Sequence, residues 1–127
     1  MNEKFYEFLK QHKDYEMWLD SVFLVLGIPQ NVLGYDYLMA AVLLATDEPE
    51  LIRALTKELY PRIADLFNTT TSRVERSIRH AIELAWDNSE PKTLANMFGY
   101  TVGSAKYKPS NGNFIATMVN KLRRAYY

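Results

Sequence analysis

Apolar residues recur at intervals of three and four along almost the whole of this chain. That spacing places them on one face of an α-helix, whereas a strand alternates apolar and polar residues in steps of two. The one candidate strand, residues 100–102, is too short to count. We therefore predict an all-α domain. The predicted helices are one broken or two short helices within residues 5–26, followed by helices at 35–44, 51–59, 61–67, 72–86, 94–98 and 111–126.

Composition limits what such a helical chain can be. Of the 127 residues, 48% are apolar and 24% charged, which is typical of a folded domain with its own core. The lack of cysteine excludes disulfides, thiolate metal sites and cysteine nucleophiles, and fits a reducing compartment. The start of the chain is too acidic for a signal peptide, and no apolar run is long enough to span a membrane. We therefore expect a cytoplasmic protein without membrane contact.

Polar segments separate the predicted helices. Asp47 is expected to cap the helix that contains Pro49 in its first turn, with Glu50 reaching back to the cap. Capping accounts for these acidic residues better than a metal or catalytic cluster would, because it explains each one at its position. Residues 87–93 are expected to form a turn, and residues 99–110 a loop.

The net charge of zero conceals an uneven distribution of charged residues. Residues 1–60 contain ten acidic and five basic side chains, whereas residues 61–127 contain five acidic and ten basic ones. Such asymmetry is typical of proteins with a surface that faces a polyanion. It does not decide the question alone, because folding can mix the two halves in space.

The basic residues are concentrated partly on the predicted helix 72–86. Its apolar residues share one side, and Arg73, Arg76, His80 and Glu83 lie opposite, with Arg79 beside them. Ser72 followed by Glu75 is a capping-box pattern, so we predict that the helix begins at Ser72. The free N–H groups of its first turn, beside the Thr70 and Thr71 hydroxyls, are well suited to binding a phosphate.

The preceding segment adds a second helix. Residues 61–67 form a short helix, and a brief polar turn at residues 68–70 leads into the basic helix, which is a helix-turn-helix arrangement. In that arrangement the second helix enters the major groove of DNA, where arginine matches the acceptors of guanine and glutamate accepts from cytosine N4. The pattern fits only partly, because the turn has no glycine. A solvated face with Glu75 and Glu83 as partners of the arginines remains the alternative at this point.

Four longer segments carry a family resemblance. The chain from about Leu19 to Arg124 resembles the DNA-binding effector domain of the stage-zero sporulation response regulator, the master transcription factor of endospore-forming Firmicutes. The segments are long and collinear, and the similarity covers more than four-fifths of the chain. They read GIPQNVLGYDYL, LTKELYPRIADLFNTTTSRVERSIRHAIELAW, FGYTV and KPSNGNFIATMVNKLR.

The resemblance implies a six-helix all-α fold with an embedded helix-turn-helix. It also implies sequence-specific binding to promoter boxes, with homodimers on tandem sites. The segment SRVERSIRH matches the recognition helix of the family, which makes Arg73, Glu75 and Arg76 the implied base readers. The implied backbone or secondary contacts are Thr70, Thr71, Ser72, Arg79, His80, Lys106 and Lys108.

Two parts of the chain depart from the family pattern. Residues 86–100 correspond to the segment through which the family contacts the RNA polymerase sigma subunit, but DNSEPKT differs from the usual family sequence. The family protein has an N-terminal receiver domain, and residues 1–16 do not resemble one. We expect a helical leader in residues 1–16, the DNA-binding domain in residues 17–127, and a paralogue without control by phosphorylation.

Two other classes of function are compatible with a helical domain of this kind. An interaction module that has lost DNA binding and antagonises a full-length regulator is the main alternative, although the presence of the implied DNA contacts argues against it. An enzyme is a third class. The only histidines are His12, expected at the surface, and His80. Because no catalytic pairing, phosphate loop or nucleophile motif is present, we predict no catalytic residue, no metal and no cofactor.

Overall fold

The computed structural model describes residues 2–99 and 108–126. Within those ranges every regular element is helical and no strand occurs, which confirms the predicted all-α class. The elements are α1 (Glu3–Lys10), α2 (Lys13–Val25), α3 (Leu33–Asp47), a 3-10 helix (Pro49–Arg53), a π-helix (Leu55–Leu59), α4 (Tyr60–Phe67), α5 (Thr71–Asn88), α6 (Pro91–Phe98) and α7 (Asn111–Tyr126).

Helix α3 is the centre of the domain. Twelve of its fifteen residues are buried, so it is apolar on all sides, as expected of a helix surrounded by others. Helices α5 and α7 pack directly against it. The prediction placed this helix at residues 35–44. It begins two residues earlier, at Leu33, and it extends to Asp47 because burial against its neighbours continues to Thr46.

The predicted helical leader packs onto the body of the domain. Phe5 and Leu9 of α1 are buried, and the Phe5 ring centroid lies 4.7 Å from that of Phe67 in α4. Asn2 caps α1 by accepting a hydrogen bond from the Phe5 N–H, and its side-chain amide donates to the Leu66 carbonyl at 2.9 Å. The leader therefore supports the helix that precedes α5.

His12 is buried rather than at the surface as predicted, with 9% of the residue exposed. It lies between α1 and α2, where one ring nitrogen is 2.9 Å from the Phe8 carbonyl and the other 2.6 Å from Asp47 Oδ2. The predicted cap at Asp47 is also wrong, because Asp47 is the last residue of α3. Glu48 precedes the next helix instead, and its carboxylate pairs with Arg62 at 2.8 Å.

The region predicted as helix 51–59 is irregular. A 3-10 helix ends at Arg53, and the π-helix that follows runs directly into α4. Pro61 lies in the first turn of α4, as predicted. Because proline has no N–H to donate to the fourth carbonyl before it, the regular α-helical ladder is interrupted where the wider π-turn occurs.

The end of α2 is fastened to the end of α5. Gly27 adopts a positive φ of 73°, and the Asn88 amide donates to its carbonyl at 3.0 Å. The Ser89 hydroxyl donates to the Leu26 carbonyl at 2.7 Å. The turn predicted at residues 87–93 is shorter than expected, because α5 continues to Asn88 and α6 begins at Pro91. Most of the predicted loop 99–110 lies outside the described residues.

Candidate DNA-binding surface

Helices α4 and α5 form the predicted helix-turn-helix. The turn between them consists of residues 68–70. Asn68 has the left-handed conformation, with φ 52° and ψ 52°, and the Thr69 N–H donates to the Ala64 carbonyl at 2.9 Å. Asparagine is one of the few residues other than glycine that adopts this conformation readily. Asn68 therefore takes the place of the glycine that the sequence lacks in this turn.

Helix α5 begins one residue earlier than predicted. Its cap is Thr70, in an extended conformation, and the Thr70 hydroxyl accepts a hydrogen bond from the Arg73 N–H at 3.2 Å. The predicted capping box of Ser72 and Glu75 is wrong, because Ser72 is already inside the helix. Four consecutive hydroxyl residues, 69–72, can each act as a cap here, and the backbone conformation selects the second of them, Thr70.

The two faces of α5 are separated as the periodicity predicts. The outer side chains of Arg73, Arg76 and His80 are exposed. Neither Arg73 nor Arg76 forms an ion pair with any described residue. These two guanidinium groups are therefore available to an external acceptor. The inner residues are Val74, Ile78, Ala81, Ile82, Ala85 and Trp86, and all are buried.

Arg79 has a local partner. Its guanidinium donates to the Glu75 carboxylate one helical turn earlier, in an ion pair whose side chains are 53% and 37% exposed. One of the ion pairs expected for a simply solvated helix face, between Glu75 and Arg79, is thus present in the structure. Such exposed pairs stabilise a helix by only about 0.3–0.5 kcal/mol, so this pair opens readily when a better partner arrives. The three arginines of α5 are therefore not equivalent.

Two contacts that the sequence did not reveal fix the position of α5. At Gly34 of α3, an added Cβ would lie 2.1 Å from the Ser77 carbonyl oxygen and 2.7 Å from the Ala81 Cβ, so the two backbones touch. Gly34, directly before the predicted apolar helix 35–44, was the one sequence signal of this crossing. Only glycine permits such a close approach.

The second contact joins three helices. The Asn111 amide, in the first turn of α7, is 3.1 Å from the Tyr60 hydroxyl of α4 and 3.1 Å from the Glu75 carbonyl of α5. Burial raises the pKa of Tyr60 above its ordinary value. The neutral hydroxyl therefore persists at physiological pH, and Asn111 holds the two helices of the motif at a fixed spacing.

Three of the implied backbone contacts lie at the start of α5. Thr70 and Ser72 are exposed and Thr71 is half-buried. Lys108 is exposed and precedes Asn111 by three residues, which limits the separation of their Cα atoms to about 11 Å. Lys106 lies outside the described residues.

Comparison with known families settles the class of this domain. A family model described as "Sporulation initiation factor Spo0A C terminal" matches residues 19–122. The chain belongs to this family. The Spo0A C-terminal family is a DNA-binding effector domain of transcription regulators and not an enzyme family. Membership thus supports a DNA-binding regulator in general and confirms the resemblance drawn from the sequence.

The match to the Spo0A C-terminal family runs from the middle of α2 into α7. It includes the whole helix-turn-helix, whereas α1 and the first half of α2 precede the matched residues. None of the described helices is long and apolar enough to cross a membrane. Among the described residues no group of three or more acidic or histidine side chains is arranged to hold a metal ion.

Proposed function

We propose that this protein is a sequence-specific transcription regulator that inserts α5 into the major groove of DNA. The observation that carries the proposal is the pair Arg73 and Arg76 on the outer face of the second helix of a helix-turn-helix, where both are exposed and neither has an ion-pair partner among residues 2–99 and 108–126. Unpaired guanidinium groups on a surface helix interact favourably with a polyanion. Family membership supports DNA as that polyanion.

Arg73 and Arg76 are the proposed guanine readers, because a guanidinium donates two parallel hydrogen bonds to O6 and N7. Glu75 is the proposed acceptor for cytosine N4. In the free protein the Glu75 carboxylate is held by its ion pair with Arg79, which orients it before DNA binds. On binding, Arg79 turns to a phosphate and releases the Glu75 carboxylate to a base.

The proposed backbone contacts hold α5 in register. The hydroxyls of Thr70, Thr71 and Ser72 lie at the start of the helix, where the helix dipole and free N–H groups favour a phosphate. His80 and Lys108, both exposed, add contacts on either side, and Lys106 is included on the family resemblance alone. Phosphate contacts of this kind position the protein but do not read sequence.

Further partners belong to the same proposal. We propose that two copies bind tandem boxes as a homodimer, and that the end of α5 together with α6 contacts the RNA polymerase sigma subunit. Residues 86–99 of the implied sigma-contacting segment are described, and among them Asp87, Asn88, Glu90, Pro91, Lys92 and Asn96 are exposed. Such a regulator acts on the chromosome and is expected in the cytoplasm.

A module that pairs with a full-length regulator without binding DNA is the second candidate. The observation in its favour is an outward apolar stripe on α2, where Met17, Leu24 and Val25 are 60%, 76% and 61% exposed. Large exposed apolar side chains on one helix face are typical of a protein-binding surface. The two candidates differ in one property, since only the first requires the purified chain to bind DNA.

Selection of DNA from a random duplex pool tests the proposal. The protein should enrich one short box, and its affinity for that box should exceed its affinity for a scrambled duplex by about 10³-fold or more. Binding should weaken steeply as salt rises, because phosphate contacts release counterions. If the folded protein binds no duplex even at low salt, that result contradicts DNA binding and favours the interaction module.

A further inference from the structure

A shallow groove beside α5 connects the proposed reading face to an exposed leucine. Leu33 and Gly34, from the start of α3, line one side of the groove, and Arg73, Arg76 and His80 of α5 line the other. Leu33 is 63% exposed, whereas the rest of α3 is almost entirely buried. An exposed leucine therefore lies among the cationic side chains that are proposed to contact DNA.

The position of Leu33 is fixed by the packing of its neighbours. Gly34 touches α5 so closely that an added Cβ would lie 2.1 Å from the Ser77 carbonyl, and Tyr35 is 95% buried. The backbone on the C-terminal side of Leu33 is thus packed closely against α5. The Leu33 side chain lines the groove together with Arg73 and Arg76.

The chemistry of this groove fits one feature of DNA. A ligand that satisfies both the cationic side chains and the leucine must present anionic and apolar groups close together. In the major groove the C5-methyl of thymine is the apolar group on the base edges, and phosphates flank it. A deoxyribose contact would also bury the leucine, but it would be independent of sequence.

We propose that Leu33 contacts the C5-methyl of a thymine at the edge of the box and is a specificity-determining residue outside the recognition helix. The inference rests on the proposed function, since it requires α5 to lie in the major groove. It adds a reader that belongs to α3, which the helix-turn-helix pattern does not include. Its consequence is a preference for thymine at one position that no hydrogen bond from α5 produces.

Replacement of thymine by uracil tests the contact, because uracil lacks only the C5-methyl group. Duplexes carrying the selected box are prepared with uracil at each thymine in turn, and dissociation constants are measured for the wild type. At one position the loss of the methyl should weaken binding roughly fourfold, as expected for one buried methyl-sized group. The Leu33→Ala variant should bind the thymine and uracil duplexes equally.

Two further variants keep the test sharp. Leu24→Ala removes the same side chain from α2, outside the groove, and should retain the full dependence on the methyl group. Leu33→Met keeps an apolar side chain of similar volume, so it should also retain the dependence on the methyl group. It is the control for a distortion of α3 by Leu33→Ala. Thermal unfolding of each variant shows whether the fold is intact.

Three results would overturn the inference. Uracil that has no effect at any position rules out a methyl contact, even where the protein selects a clear box. A Leu33→Ala variant that binds both duplexes more weakly than the wild type, but still prefers thymine over uracil by the same factor, indicates a sugar contact instead. If the wild type selects no box at all, the proposed function fails as well, so the two failures are distinguishable.

Discussion

At the scale of single residues, the three arginines on α5 differ in their partners. Arg73 and Arg76 have no ion-pair partner among the described residues, and Arg79 is paired with Glu75. The arrangement agrees with helix geometry, since a glutamate four residues before an arginine is the favourable order. The sequence predicted which residues lie on the outer face. It named both Glu75 and Glu83 as partners of the arginines without assigning either one, and the structure pairs Glu75 with Arg79.

Asn68 offers a test of the turn. Replacing it with alanine should destabilise the protein by about 1–2 kcal/mol, because a Cβ-bearing residue without a polar side chain resists the left-handed conformation. Asn68→Gly should be close to neutral, since glycine adopts that conformation freely. Chemical denaturation measures both variants. Equal losses of stability for alanine and glycine would show that the Asn68 side chain, and not the backbone conformation, matters.

At the scale of helices, amphipathic periodicity was a good guide where it was regular. Helix α7 spans the predicted residues 111–126, and the buried face of α5 matches the prediction. Periodicity failed in residues 49–59, because 3-10 and π-turns do not follow the α-helical repeat. It also missed the start of α5, where four adjacent hydroxyl residues could each act as the cap.

The crossing of α3 and α5 predicts a strong effect of Gly34→Ala. The added methyl group would clash with the Ser77 carbonyl, so α5 must shift, with a loss of about 1–3 kcal/mol in stability and weaker binding to the selected box. Gly112→Ala is the matched control, since its nearest neighbour is the flexible end of Leu55 at 3.1 Å. Denaturation and duplex binding measure both. Equal tolerance of the two substitutions would contradict the close contact of α3 and α5.

Because α1 packs on the domain through one face, we expect substitutions on its two faces to differ in effect. Phe5→Ala should cost about 3–5 kcal/mol, because Phe5 is buried against Phe67 of α4. Tyr6→Ala, on the same helix but 47% exposed, should change the free energy of unfolding by no more than about 0.5 kcal/mol. If Phe5→Ala is as mild as Tyr6→Ala in urea denaturation, α1 does not pack on the domain in solution.

At the scale of the whole molecule, the fold gathers residues that are far apart in sequence around the turn before α5 and along that helix as far as Ala81. Gly34 and Leu33 come from α3, Asn68 from the turn and Asn111 from α7. Sequence patterns within one helix predicted the outer face of α5, but they contain no information about which distant residues pack beside it. The family resemblance supplied the class of function. The groove beside Leu33 and the hydrogen bonds of Asn111 to α4 and α5 could be identified only from the three-dimensional arrangement.

The central claim is that α5 reads DNA sequence through Arg73 and Arg76, and Arg76→Ala tests it most directly. The dissociation constants of wild type and variant are measured on the selected box and on a scrambled duplex at the same salt concentration. Arg124→Ala is the matched control, because Arg124 is exposed but lies about 20 Å along α7 from Asn111.

Arg76→Ala should lose about 1–3 kcal/mol of binding free energy on the selected box and much less on the scrambled duplex, so that sequence preference falls. Arg124→Ala should leave that preference unchanged. An Arg76→Ala variant that binds both duplexes as the wild type does, or that weakens equally on both, would contradict a base-reading role for α5.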